Sequence, residues 1–181
     1  MFYVFLANGF EEIEALAPVD FLKRMGVKVV TVGVSGDVIN GAHNIRVVAD
    51  IPLCEVQLND ELQGVMLPGG MPGADNLDKC PDVHKAIDYC IANNKVVSAI
   101  CASPFVLGKK GLLEGKNATC FPGFEGELKG ATVLPDGVVT DGNIITARGA
   151  GVAWEFGAAI GTALMNKEKS DGILKAIQWK K

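Results

Sequence analysis

The stretch Lys95-Val96-Val97-Ser98-Ala99-Ile100-Cys101-Ala102-Ser103-Pro104 carries the reading of the fold. Lys95 to Ile100 is a short, largely apolar run, the pattern of a strand buried inside a sheet. A helix is predicted over 102–110, with Pro104 in its first turn, where no N–H is required. Cys101 falls on the turn between the two. A residue so placed lies at the carboxyl edge of the sheet, where α/β proteins hold their ligands. Ala99 and Ser103, two residues to either side, are small, as a sharp nucleophile elbow demands. The free N–H groups of the following helix favour a thiolate, so Cys101 is expected to ionise below an ordinary cysteine.

Apolar runs and helical patterns alternate on both sides of this stretch. Strands are predicted at 2–7, 27–34, 45–49 and 63–67, the third reached by a turn at Asn40-Gly41. Helices are predicted over 12–25, closed by Gly26, and over 82–93, 151–165 and 168–178. Between the 102–110 helix and residue 147 the pattern is irregular, with Gly, Pro and short strands. This alternation predicts an α/β fold with a mostly parallel central sheet and crossover helices. No linker, repeat or low-complexity segment interrupts it, so residues 1–181 read as a single domain.

The chain has 17 basic and 21 acidic residues, for a formal net charge of -4. The charges are scattered and no basic stripe forms, which argues against nucleic acid as a partner. The start, Met1-Phe2-Tyr3-Val4-Phe5-Leu6, lacks the basic leader of a signal peptide, and no apolar run has the length of a membrane span. A cytoplasmic protein with no membrane partner is expected. The cysteines are Cys54, Cys80, Cys90, Cys101 and Cys120, with no C-x-x-C pair among them. A disulfide framework and a metal site are therefore disfavoured, and the four besides Cys101 are expected to be buried small hydrophobes. No phosphate-binding loop is present, and no cofactor is expected.

Two further segments carry groups that would complete a site around Cys101. Pro68-Gly69-Gly70 ends a strand expected beside the elbow strand. A diglycine can turn a backbone N–H into a pocket, where it would bind a developing oxyanion together with the N–H of Ala102; it is also the sequence of an ordinary tight turn. Gly9-Phe10-Glu11-Glu12-Ile13-Glu14 follows the first strand. Acids at a helix start are favoured by its dipole, which accounts for Glu11 and Glu12. Glu14 lies within one turn of the core-facing Leu16 and Pro18. Turned inward, its carboxyl would be buried, with a raised pKa, and could donate a hydrogen bond to sulfur.

Gly9-Phe10-Glu11-Glu12-Ile13-Glu14, Leu67-Pro68-Gly69-Gly70 and Ala99-Ile100-Cys101-Ala102-Ser103-Pro104 together resemble the ThiJ/PfpI superfamily, and within it the branch of the Parkinson-associated protein deglycase. A fourth segment agrees: Thr146-Ala147-Arg148-Gly149-Ala150-Gly151, followed by Glu155-Phe156. The resemblance runs nearly end to end. It implies a flavodoxin-like three-layer sandwich and a homodimer. It implies Cys101 as nucleophile, Glu14 as the protonated acid beside it, and oxyanion N–H groups from Gly70 and Ala102. Gly69 and His43 would border the pocket, His43 near the dimer interface.

The resemblance further implies chemistry on small-molecule carbonyl compounds, glyoxalase or deglycase work that turns methylglyoxal into lactate without glutathione. The alternative it carries is a redox-sensing or chaperone-like stress protein, in which Cys101 is oxidised without turnover. Another branch holds amidases and peptidases, but there a His follows the nucleophile and here Ala102 does. In the deglycase branch a His often sits in the segment matching Thr119-Cys120-Phe121-Pro122. Here Phe121 stands in that place, and it cannot transfer a proton. His84, between Val83 and Lys85 in a helix, reads as a solvated surface residue.

Overall fold

The first strand sorts its side chains by parity. Tyr3 and Phe5 enter one apolar core, whereas Phe2, Val4 and Leu6 enter another, as the two-residue period of a strand requires. The computed structural model describes residues 1–180. In chain order its elements are β1 (Phe2–Leu6), α1 (Glu12–Arg24), β2 (Val29–Gly33), β3 (Val38–Asn40), β4 (Arg46–Val48), β5 (Ile51–Pro52), β6 (Gly64–Leu67), α2 (Gly73–Asp78), α3 (Pro81–Ala92), β7 (Val96–Ile100), α4 (Pro104–Lys109), β8 (Asn117–Ala118), β9 (Thr132–Val133), β10 (Val138–Asp141), β11 (Ile144–Ala147), α5 (Ala153–Leu164) and α6 (Lys167–Ala176).

Seven strands form the central sheet in the order β10-β11-β7-β6-β1-β2-β5. All its neighbours run parallel except β10 and β11. Ala15, Phe21 and Leu22 of α1 and Phe156 and Ile160 of α5 pack on the face that carries Phe2, Val4 and Leu6. Leu77 of α2, Val83 and Ile87 of α3, and Phe105 and Val106 of α4 pack on the face of Tyr3 and Phe5. The result is a three-layer, flavodoxin-like sandwich, as the sequence led one to expect. Among the described residues, no helix is long and apolar enough to cross a membrane.

Several local expectations are corrected or refined. The strand predicted at 45–49 forms as β4, but it pairs antiparallel with β3 outside the central sheet, Val38 opposite Val48. Asn40-Gly41 is not a tight turn there: the chain loops through residues 41–45, with Asn44 in the left-handed region at φ 66. Conversely, the irregular stretch ends in two true sheet strands, β10 and β11. Asp141 pairs with Ile144 across a two-residue turn that starts at Gly142, φ 63; a glycine with positive φ at that place suits the right-handed twist of a hairpin. Of the four cysteines expected to be buried, Cys90 and Cys120 are, but Cys80 is half-buried and Cys54 exposed. Cys54 follows β5, a two-residue edge strand with nothing beyond it in the sheet. His84 is not freely solvated either, since its Nε2 lies 2.6 Å from the Asp78 carbonyl oxygen.

Helices α1 and α5 approach closely enough that a Cβ on Gly157 would stand 3.1 Å from both Phe21 Cβ and Pro18 Cα. Gly157→Val should therefore lower stability by about 2 kcal/mol, the usual effect of overpacking. Gly172, in α6, has open space around it, so Gly172→Ala should instead add about 0.5–1 kcal/mol through helix propensity. Urea midpoints of the two variants check both signs.

Candidate active site

Ile100 pairs with Ala147 at the end of β7, and Cys101 continues the ladder by donating its N–H to the Ala147 carbonyl at 2.8 Å. There the chain turns. Cys101 adopts φ 65, a left-handed conformation that costs a non-glycine residue about 1–3 kcal/mol and persists only where its surroundings impose it. Those surroundings are specific. The Cys101 carbonyl accepts the Phe121 N–H at 2.8 Å, and the buried Ser103 hydroxyl donates to the Pro68 carbonyl at 2.5 Å. The elbow is thus tied both to the end of β6 and to the 119–122 segment.

Glu14 arrives from the other side of β6. The Glu11 carboxylate caps α1 by accepting the Glu14 N–H at 2.7 Å, and the Glu11 N–H donates to the Gly69 carbonyl at 2.9 Å. These bonds fix the first turn of α1 against the diglycine. The Glu14 carboxyl is then 1% exposed, and its Oε2 accepts the Gly69 N–H at 3.1 Å. A Cβ on Gly69 would press on that same Oε2 and stand 2.5 Å from Cys101 Cβ. Gly70, φ 86, leaves as little room: its Cβ would stand 2.5 Å from the Gly9 carbonyl oxygen. Glycine at both positions lets the acid and the thiol meet.

Burial pushes the Glu14 carboxyl up to about 7; the nearby Glu11 charge adds to the rise, and Cys101 and the N–H groups of Gly69 and Ala150 oppose it. A raised acid at this position is what the sequence suggested. The thiol is different. Burial, reinforced by the adjacent Glu14 charge, pushes Cys101 up to about 12, and the N–H groups of Gly70 and Ala102 that face the sulfur only partly offset this. Desolvation and the Glu14 charge thus act against the low thiol pKa that the elbow donors favour. Two acids share one dry site, and a single negative charge there opposes a second. The pair therefore carries one negative charge more readily than two.

The structure thus brings Cys101, Glu14, Gly69, Gly70 and Ala102 together. His43 it holds elsewhere: the ring is exposed, with Nδ1 2.7 Å from Glu12 Oε2 and 4.0 Å from Glu11 Oε1. Glu12, which the helix dipole alone seemed to explain, also accepts the backbone N–H of His43 at 2.7 Å and so anchors the 41–45 loop. Burial pushes the Glu12 carboxyl up, but the bonds from His43 and Ile45 outweigh it and leave the pKa lowered. Sequence reasoning also missed the Ala150 N–H, which faces Glu14. Its only signal is the position of Gly149-Ala150 just after a strand. Beside the pair lies a cavity of about 420 Å³ walled by Phe121, Pro122 and residues 148–152. Phe121, 47% exposed, forms its outer wall.

The Glu14 shift has a stability consequence. A carboxyl raised from 4.5 to about 7 gives stability that is full below pH 4.5 and is lost as pH rises through about 7, an effect of about 3 kcal/mol. Glu14→Gln should abolish that loss, so that the variant gains about 3 kcal/mol on the wild type between about pH 4 and about pH 8. Urea unfolding at the two pH values measures it. Parallel pH dependence of the two proteins would mean that Glu14 ionises as an ordinary acid.

Comparison with known proteins agrees with this geometry. The chain matches the DJ-1/PfpI family over residues 2–163. It is 34% identical to Protein dj-1beta of Drosophila melanogaster over 177 residues, which are 96% of this chain and 94% of that protein. The crystal structure of Drosophila DJ-1beta superposes with a TM-score of 0.93 at 33% identity, covering 99% of this chain and 98% of that one. The glutathione-independent glyoxalase DJR-1.2 of Caenorhabditis elegans is 32% identical over 169 residues, 92% of this chain and 89% of that protein. Protein DJ-1 homolog B of Arabidopsis thaliana is 36% identical over 168 residues, 91% of this chain but only 38% of the plant protein, so the chain spans well under half of that relative. With the elbow, the diglycine and the buried glutamate in the family's order on the family's fold, the chain belongs to the DJ-1/PfpI family.

Proposed function

We propose that the protein converts small 2-oxoaldehydes such as methylglyoxal into 2-hydroxy acids, with Cys101 as nucleophile and Glu14 as acid and base. The observation that carries this reading is the buried Glu14 carboxyl, raised to about 7 and set against a sulfur that the free N–H groups of Gly70 and Ala102 also face. Above that pH Glu14 is the ionised partner and can take the thiol proton as sulfur attacks the aldehyde carbon. A C–S bond forms, and the carbonyl electron pair moves to oxygen, where the two N–H groups stabilise it until it is protonated. Glu14 then moves the proton of that carbon to the neighbouring carbonyl carbon through an enediol. The product is a thioester of the 2-hydroxy acid, which water cleaves to the acid and free Cys101. No external oxidant is needed, because the aldehyde is oxidised as its neighbour is reduced. The reading needs no histidine, which fits Phe121 in the flanking segment.

A redox-sensing role is the second reading, and the same geometry favours it: the Gly70 and Ala102 N–H groups and a protonated Glu14 would bind the oxygens of an oxidised Cys101. A peptidase or amidase role has less support, since Ala102 rather than His follows the nucleophile.

We also propose a homodimer. Ile13, Ile45 and Val48 are exposed by 55%, 54% and 71%. Ile13 and Ile45, with Leu16 and Trp154, line an apolar hollow of about 440 Å³ on the outer face of α1. Apolar side chains gathered in this way mark an association surface. Ile13→Glu should convert a dimer into a monomer in sedimentation velocity; an unchanged sedimentation coefficient would place the interface elsewhere.

Lactate formation from methylglyoxal tests the enzyme. Wild-type protein should produce it at a rate that rises with pH through about 7, as Glu14 loses its proton. Cys101→Ser should abolish turnover, and Glu14→Gln should lower it about 10²-fold or more and flatten the pH profile. Full turnover by Cys101→Ser would remove the cysteine mechanism. No turnover by the wild type, with ready oxidation of Cys101, would favour the sensor.

A further inference from the structure

Arg148 lies one residue beyond Ala147, the residue whose carbonyl receives the Cys101 N–H. Its own N–H is fixed to the Gly137 carbonyl at 2.9 Å, and its Nη1 donates to the Pro135 carbonyl at 3.0 Å. A guanidinium has five N–H donors, so most of them stay open in an exposed side chain. Among the described residues, no carboxylate forms an ion pair with it. An arginine held by these bonds, without a carboxylate partner among the described residues, is a cation with unspent donors.

Its position gives those donors a use. Arg148 belongs to the walls of two cavities, of about 420 Å³ and about 320 Å³. The larger lies beside the Glu14–Cys101 pair: a Cβ on Gly149 in its wall would stand 3.7 Å from Glu14 Oε1, and the N–H of Phe121, also in its wall, donates to the Cys101 carbonyl. Arg148 is the one formally charged residue in that wall. In the smaller cavity Glu125 also lines the wall, but its Oε2 already accepts the Gly123 N–H at 2.7 Å. A substrate whose aldehyde sat at Cys101 could place its remaining atoms in this neighbouring cavity, in whose wall Arg148 stands.

We propose that Arg148 is a specificity-determining residue, and that the preferred substrates are 2-oxoaldehydes that carry an anionic group, a carboxylate or a phosphate, which the guanidinium binds. A planar fork of donors suits either anion. This inference rests on the proposed turnover of oxoaldehydes at Cys101 and names the substrate class within it.

Two matched pairs of probes test it: carboxyethylglyoxal against propylglyoxal, and hydroxypyruvaldehyde phosphate against hydroxypyruvaldehyde. In the wild type, kcat/KM for the anionic member of at least one pair should exceed that of its neutral partner by about tenfold, mainly through KM. Which pair responds tells carboxylate from phosphate. Arg148→Met should erase the preference by lowering the anionic members far more than the neutral ones, and Arg148→Lys should keep part of it. A purely structural arginine would lower both members of a pair alike, and that result, or no preference in either pair, overturns the proposal. Binding separates this from failure of the turnover reading. In the Cys101→Ser protein, calorimetry should show the Kd of the preferred anionic aldehyde weakened about tenfold by adding Arg148→Met. An unchanged Kd overturns the proposal whether or not the wild type turns over any aldehyde.

Discussion

A carboxyl group out of water beside a thiol that is also largely out of water can carry one negative charge with ease and two only at great cost. Glu14 and Cys101 are held in that relation, and the surrounding backbone is arranged to make the single charge tolerable. Gly69 and Ala150 turn N–H groups toward the carboxylate, and Gly70 and Ala102 turn theirs toward sulfur. Each possible location of the charge has its own donors, so a proton can pass between the two groups without leaving either anion unsupported. That property suits both attack by sulfur and stabilisation of an oxidised cysteine, which is why one geometry supports two readings of function.

The first turn of α1 does three separate jobs with three acids. Glu11 caps the helix and ties it to the end of β6, Glu12 anchors the 41–45 loop, and Glu14 enters the site. The exposed apolar face and the Glu14–Cys101 pair therefore hang from the same few residues. Ile13 points outward between Glu12 and Glu14, which are both buried.

Strain at the elbow is borne by its neighbours. Cys101 is held at φ 65 by two backbone bonds, to Ala147 and to Phe121, and by the Ser103 hydroxyl, which bonds Pro68. These come from three different parts of the chain, so the turn exists only once the sheet has closed around it. The small residues beside Cys101 permit the elbow, and the long-range bonds impose it.

Much of this was legible in the residues. The alternation of apolar runs with helical periods and the small residues around Cys101 follow from local stereochemistry, so the mostly parallel sheet and the sharp turn at Cys101 could be read directly, whereas the three-layer order was implied by the family resemblance. The inward turn of Glu14 was legible too, since it shares a turn with core-facing residues. Tertiary structure alone decided the rest. The thiol pKa depends on how much water surrounds sulfur and on which acid stands beside it, and those neighbours are 87 and about 30 residues away in the chain. The β3–β4 hairpin lies off the central sheet because of pairing, which a run of β-branched residues does not specify. The second task of Glu12 and the open donors of Arg148 arise only when loops distant in sequence are brought to one edge of the sheet. Sequence periodicity fixes which face a residue takes, but the company it keeps there is settled by contacts that only the folded chain can make.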